Sequence, residues 1–288
     1  MADPILRVSD LWYTYPEQVE PVLRGIDLAI PQGQFLALVG ANGSGKTTLA
    51  KHFNGLLKPQ RGVVQVAGLE THRHSIGALA RQVGFLFQNP EQQIFGATVR
   101  QEVAFGPTNL GWAPEVVQAR TDASLARFGL SSLADRPPAI LGYGIRRRVT
   151  LASLAAMDPA VLVLDEPTVG LDAPGLQETL DWLVELHAEG RTVVLVTHDM
   201  PLAAEQADRI VVLHQGRILG DGAPQEVFCQ ADLLAQASLF PPPVMELAQS
   251  LRPLGLADDC LTVEAFVQQY VRLIQQRGTP GSLPREGA

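Results

Sequence analysis

The sequence predicts an α/β fold: a parallel sheet buried on both faces, with helices between its strands. Three observations predict it. Four short apolar runs, "GQFLALVG" at 33–40, "VGFLFQ" at 83–88, "AVLVLDE" at 160–166 and "RTVVLVTHD" at 191–199, have the length and continuous hydrophobicity of strands covered on both sides. Helical spacing lies between them, as in "GLQETLDWLVELHAEG", with Gly190 as its stop. A glycine-rich loop joins the first run to "KTTLAKHFNGLL", which reads as a helix.

The remaining elements follow along the chain. "ILRVSDLWYTYP" and "VVQVAG" alternate apolar and polar residues, which suggests an antiparallel flank. Residues 89–160 show no strand pattern, and "PEVVQARTDASLARFGL" and "RRRVTLASLAAM" are helical, so this stretch reads as a helical subdomain inserted into the core. Strand patterning stops near residue 222. The organisation expected is therefore an α/β unit over 1–222, with the helical subdomain at about 89–160, and a helical extension over 223–288, punctuated by "FPPPV" and disordered at its "RGTPGSLPREGA" end.

Composition narrows the classes. The chain has 288 residues, 46% hydrophobic and 18% charged, with a net charge of −8. No basic footprint for nucleic acid is present, and Arg146, Arg147 and Arg148 read as a solvated helix face. Cys229 and Cys260 are the only cysteines, too few for a disulfide scaffold or a zinc site, and a reducing compartment suits them. The start of the chain has no signal-peptide pattern, and no apolar stretch is long enough to span a bilayer.

The chemistry sits at the strand ends. "GANGSGKT", Gly40 to Thr47, fits the phosphate-loop spacing G-x-x-x-x-G-K-[ST]. Glycines let successive N–H groups point at phosphate oxygens, and the following helix adds its positive end. The binding set read from this loop is Gly40, Asn42, Gly43, Ser44, Gly45, Lys46, Thr47 and Thr48. In such a loop Lys46 would bridge the β- and γ-phosphates, and Thr47 would offer a hydroxyl to Mg²⁺. Asp165 ends an apolar run, suited to the same metal, and Glu166 beside it is placed to orient or deprotonate a water. Gln88 and His198 also end apolar runs, and ligands collect at the carboxyl ends of such strands.

Taken together, "GANGSGKTT", "FQNPEQQ", "VLVLDEPTVGLD" and "VLVTHD", in this order, resemble the ATP-binding-cassette (ABC) ATPases over roughly residues 5–222. The resemblance implies a cassette with a parallel P-loop core sheet, antiparallel β flank, inserted helical subdomain and C-terminal helical extension. It implies ATP and Mg²⁺ as ligands. By the same resemblance, Tyr15 stacks on adenine, Gln88 links metal and water to a transmembrane partner, and Asp172 belongs to a loop that speaks across a dimer. "FQNPEQQIFGATVRQEVAFGPTNLG" and the tail resemble the energy-coupling-factor importers of cobalt, nickel and vitamins. That implies a second ABC ATPase, a transmembrane coupling protein and a substrate-binding membrane subunit as partners, at the cytoplasmic face of a membrane. Ile94 and Phe95 are then candidate docking anchors, with local packing as the alternative.

One stretch departs from the family. Where its members carry Leu-Ser-Gly-Gly-Gln, which caps the γ-phosphate of a partner subunit, this chain reads Leu141, Gly142, Tyr143, Gly144, Ile145. The hydroxyl and the amide are missing, and only Gly142 and Gly144 keep close backbone approach. The Tyr143 ring is expected to obstruct the cap. A heterodimer with an intact partner is therefore favoured over a homodimer. Two other classes remain: a nucleotide-binding regulatory subunit with little turnover, and a soluble cassette protein outside transport.

Overall fold

The computed structural model describes residues 3–256 and 260–277. The end expected to be disordered falls outside the described residues beyond 277.

Ten strands are described. They are β1 (Leu6–Tyr13), β2 (Leu23–Ile30), β3 (Phe35–Val39), β4 (Arg61–Val66), β5 (Leu69–Glu70), β6 (Val83–Leu86), β7 (Val161–Asp165), β8 (Thr192–Val196), β9 (Arg209–His214) and β10 (Arg217–Gly222). They form two sheets. One is antiparallel, in the order β2-β1-β4-β5. The other has the order β10-β9-β3-β8-β7-β6, parallel from β9 to β6, with β10 antiparallel at its edge.

Every residue of β3, β7 and β8 is buried. Alternate residues serve two separate cores. Phe35, Ala37 and Val39 face one, with Leu162, Leu164, Val193 and Leu195. Leu36 and Leu38 face the other, with Val161, Val163, Val194 and Val196, and this second core also takes in the antiparallel sheet. Burial on both faces is why these strands read as unbroken apolar runs.

The helices are α1 (Lys46–Phe53), α2 (Ile76–Leu79), α3 (Val99–Asn109), α4 (Pro114–Arg127), α5 (Tyr143–Met157), α6 (Ala173–Ala188), α7 (Met200–Gln206), α8 (Pro224–Phe228), α9 (Ala231–Ala237), α10 (Pro243–Ser250) and α11 (Val263–Arg277). The helix α1 stops four residues earlier than its apolar pattern suggests, because Asn54 closes it and Gly55 turns the chain at φ +73°. Asp172 caps the start of α6 by accepting from Gly175 N at 3.1 Å, and Gly190 follows its end at φ +68°. Between β6 and β7 the described residues are helical, and α3, α4 and α5 pack on one another.

Two strands are weak in sequence. The strand β2 carries Gly25 and Asp27, and β10 carries Gly220, Asp221 and Gly222, so neither shows a strong strand pattern. Both are held by pairing across the sheet, β2 to β1 and β10 to β9.

Candidate functional site

The parallel strands carry their polar residues to one edge of the sheet. Beyond β3 the chain enters the loop Gly40–Gly45, beyond β6 it reaches Gln88, and β7 ends in Asp165 followed by Glu166. His198 follows β8. A cavity of about 350 Å³ lies here, lined by Asn42, Gly43, Gly45, Lys46, Thr47 and Thr48, by Gln88, Asp165 and Glu166, and on one side by Tyr15.

The loop fits phosphate. Gly43 and Gly45 take φ of +78° and +106°, values that favour glycine, and a Cβ at Gly43 would meet nothing within 4 Å. At Gly40 a Cβ would come 2.2 Å from Leu213 O, so the strand cannot end in a larger residue. Ser44 Oγ is buried without a hydrogen-bond partner among the described residues. An orphaned hydroxyl in a glycine cradle at a helix start suits an anion. The Lys46 ammonium donates to Gly40 O at 2.7 Å and Ala41 O at 3.0 Å. Burial pushes its pKa down from the usual lysine value, against the opposing pull of Glu166 and Asp165.

The acids have distinct settings. Asp165 accepts from the Thr47 hydroxyl at 2.7 Å, and burial raises its pKa despite that bond. This hydroxyl–carboxylate pair is an oxygen donor set suited to a hard divalent cation such as Mg²⁺. Glu166 sits at φ +51°, a left-handed conformation strained for a side chain of its size. Its Oε1 lies 2.6 Å from His198 Nδ1, and Thr197 Oγ1 reaches its Oε2 at 3.4 Å. The carboxylate is thus oriented from two sides, while the imidazole stays two-thirds exposed. A turn that aims a buried carboxylate at an open cavity can hold a water for attack.

Tyr15 is tied to the start of α1, its hydroxyl 3.2 Å from Thr48 Oγ1. Beyond His198 a second cavity of about 560 Å³ begins, bounded by Gly40, Gln88 and Glu166 and by Ser238–Phe240 of the extension.

Gly142, Gly144 and Asp172 do not line the cavity that holds Lys46. Gly142 is the exposed N-cap of α5, which has no side-chain cap, and the N–H groups of its first turn are left to partners outside the helix. Tyr143 is the first residue of α5. Its ring turns back against Gly170, where an added Cβ would come within 2.4 Å of ring Cε1, and its hydroxyl donates to Gln88 O at 3.3 Å.

The arginine cluster needs correcting. Arg146 pairs with Glu91 at 3.0 Å and Arg148 with Glu178 at 3.4 Å. Arg147 is fully buried. Its guanidinium binds the main-chain carbonyls of Phe87, Gln88, Asp165, Glu166 and Pro167. Burial lowers its pKa to about 10, with Tyr143, Asp165 and Glu166 pulling the other way. Sequence reasoning missed this residue. The available signal was an arginine at the position where the helix turns its apolar face inward, between Gly144 and Val149.

A family model described as "ABC transporter" matches residues 23–169. A cobalt import ATP-binding protein, CbiO, of Rhodobacter capsulatus is 44% identical over 257 residues, covering 88% of this chain and 91% of that protein. An energy-coupling factor transporter ATP-binding protein, EcfA, of Methanoculleus marisnigri is 42% identical over 274 residues, covering 93% of this chain and 99% of that protein. Among solved structures, cbiO1 from Clostridium perfringens, part of the ABC transporter complex cbiONQ, matches with a TM-score of 0.71 at 35% identity, over 88% of this chain and 98% of that one. A dimeric post-hydrolysis state of an ATP-binding cassette, bound to ADP and phosphate, matches with a TM-score of 0.69 at 26% identity, over 76% and 98%.

Proposed function

The chain belongs to the ABC transporter family of ATPases, and we propose that it is the ATP-hydrolysing subunit of an importer of the energy-coupling-factor type. One arrangement carries the reading: a single cavity joins the phosphate loop to Glu166, with Glu166 held 2.6 Å from His198. The printed functions of the relatives, cobalt import and energy-coupling-factor transport, supply the setting.

In this reading ATP lies with adenine against Tyr15 and its phosphates along Gly40 to Thr48, with Asn42, Gly43, Ser44 and Gly45 offering N–H groups. Lys46 neutralises the β- and γ-phosphates. Thr47, Asp165 and Gln88 would hold Mg²⁺, which supplies further charge neutralisation on the phosphates when bound. Glu166 accepts a proton from a water as its oxygen attacks the γ-phosphorus in line, and the bond to the β–γ bridging oxygen breaks. His198 holds the Glu166 carboxylate at Oε1 and Thr197 approaches Oε2 at 3.4 Å, an oxygen that keeps a second lone pair for the water.

Gly142 and Gly144 act on the nucleotide of a second ATPase subunit, through main-chain N–H groups and the positive end of α5. Asp172 lies in the loop between the two subunits. With no serine hydroxyl at this cap, the favoured assembly is a heterodimer in which the partner supplies an intact signature. A transmembrane coupling protein and a substrate-binding membrane subunit complete the importer, with this chain peripheral on the cytoplasmic face. No helix among the described residues is long and apolar enough to cross a membrane. The cargo class is a metal ion or a vitamin.

The test is reconstitution. The full chain, tagged and purified from membranes in mild detergent, is placed in liposomes with whatever co-purifies. The expected result is a second cassette and at least one integral membrane protein in stoichiometric amount, with uptake that stops when Glu166 becomes Gln. A chain that purifies without any integral membrane protein contradicts the importer reading.

A further inference from the structure

Arg147 is the largest fully buried side chain among the described residues. Its hydrogen-bond partners are all main-chain carbonyls, drawn from two segments distant in sequence. Nε reaches Pro167 O at 3.3 Å, and Nη2 reaches Asp165 O at 2.8 Å and also Glu166 O. Nη1 reaches Gln88 O at 3.3 Å and also Phe87 O. A guanidinium offers five N–H donors in a rigid plane, so this one side chain fixes both segments at once.

Tyr143 stands one turn earlier on the same face of α5, at the i,i+4 spacing that brings two side chains together. Its hydroxyl donates to the same Gln88 carbonyl. Its ring rests on Gly170, which takes φ +76° and has no side chain to block it. Beside that contact, a Cβ on Gly144 would lie 2.9 Å from Gly170 O, so the start of the helix touches the same turn directly.

We propose that Tyr143 and Arg147 are positioning residues that lock the Gln88 segment and the Asp165–Pro167 turn to the first turn of α5. The element presented to the partner's nucleotide and the residues that orient water in this chain's own site then move as one body. The physical reason is that neither segment can slide along α5 alone without leaving carbonyls or guanidinium donors unpaired in a dry interior. Capping in trans and water orientation in cis become linked through one helix. Tyr143, read from sequence as an obstruction, supplies one of the two ties. The inference rests on the reading of α5 as a cap for a second subunit's ATP.

The test uses the full chain in its assembled complex, with Tyr143→Phe as the lead variant, since it removes only the hydroxyl and keeps the ring on Gly170. Its kcat for ATP should fall about threefold, near the worth of one weak neutral hydrogen bond, with KM and melting temperature unchanged. Amide hydrogen exchange across residues 87–95 should quicken. Arg147→Lys keeps the charge but not the planar fork, and its kcat should fall more than about tenfold. In a Gln88→Ala background Tyr143→Phe should have no further effect on kcat, because the side chain being positioned is gone. If Tyr143→Phe leaves both kcat and exchange at their wild-type values, or lowers kcat equally in both backgrounds, the proposal is overturned. Should Arg147→Lys fail to fold, Tyr143→Phe still decides. A Glu166→Gln control separates the two levels: undiminished turnover there sinks the functional reading, while the exchange result still judges the positioning.

Discussion

Replacing Lys46 with methionine should abolish tight ATP binding while leaving the fold intact. Methionine keeps the length of the stem and removes the ammonium. In the structure that ammonium is buried and donates to Gly40 O and Ala41 O, so it is already held over the loop before any phosphate arrives. Two effects oppose each other on folding. The variant loses two charge-assisted hydrogen bonds, worth about 1.5–3 kcal/mol each, but it also removes most of that cost by abolishing the buried charge whose desolvation lowers the Lys46 pKa. Net stability should therefore shift by no more than about 1–2 kcal/mol. Binding has no such compensation. One charge-assisted contact to each of two phosphates, at roughly 1.5–3 kcal/mol apiece, is lost outright. That sums to about 3–6 kcal/mol, or roughly 10²- to 10⁴-fold in Kd. Titration calorimetry with a non-hydrolysable ATP analogue and Mg²⁺ measures it, and a thermal melt of the same sample checks the fold. A Kd within about threefold of wild type, in a folded variant, would refute the assignment of Lys46 to the phosphates.

Three further expectations concern acid stability, docking and the signature. His52 is buried, and burial lowers its pKa from 6.5 to about 4. Between those values the unfolded chain takes up a proton that the folded chain refuses, so stability is complete above pH 6.5 and falls as pH drops toward 4, by about 3 kcal/mol in all. His52→Gln should flatten this part of a urea-melt series from pH 7 to 4.5, and an unchanged slope would show that other groups set it. Phe95 is 71% exposed on a loop whose amides at Phe95 and Gly96 are clamped by the Glu102 carboxylate, whereas Ile94 is half-buried. Phe95→Asp should therefore release the membrane partner without changing nucleotide affinity, and a complex of normal stoichiometry would move the docking site elsewhere. Gly142→Ser and Ile145→Gln together return the hydroxyl and the amide of the usual signature while keeping the Tyr143 tie to Gln88 O, and should raise the ATPase rate of this subunit alone by about tenfold if one charge-assisted bond limits it. A wild-type subunit that alone matches the full rate of the assembled transporter would show that its signature is not impaired.

Much of the site was legible because its chemistry constrains residue type and spacing within short windows. A loop that must curl around phosphate needs its glycines, and "GANGSGKT" shows them. Strands buried on both faces advertise themselves by unbroken apolar runs, and the polar residues that close those runs, Asp165 and His198, could be read as lying at one sheet edge. The strand β2 could not be read this way, since Gly25 and Asp27 are tolerated only because β1 pairs with it along its length. Arg147 escaped notice for a different reason. A fully buried arginine is rare, and its partners are carbonyls some 20 and 60 residues away, which leave no mark in local sequence. The resting place of Tyr143 was illegible as well, because it depends on a missing side chain at Gly170.

The central claim is that this chain cleaves ATP with Glu166 as the group that orients and deprotonates water. The direct measurement is a single-turnover chemical quench on the purified complex carrying Glu166→Gln, following the nucleotide bound to this chain. Glutamine keeps the shape and the hydrogen-bonding reach toward His198 but cannot accept the proton. Since a general base is worth roughly 10²- to 10⁴-fold, bound ATP should stay intact far beyond the wild-type turnover time, with affinity undiminished. ADP and phosphate formed at the wild-type rate would contradict the account.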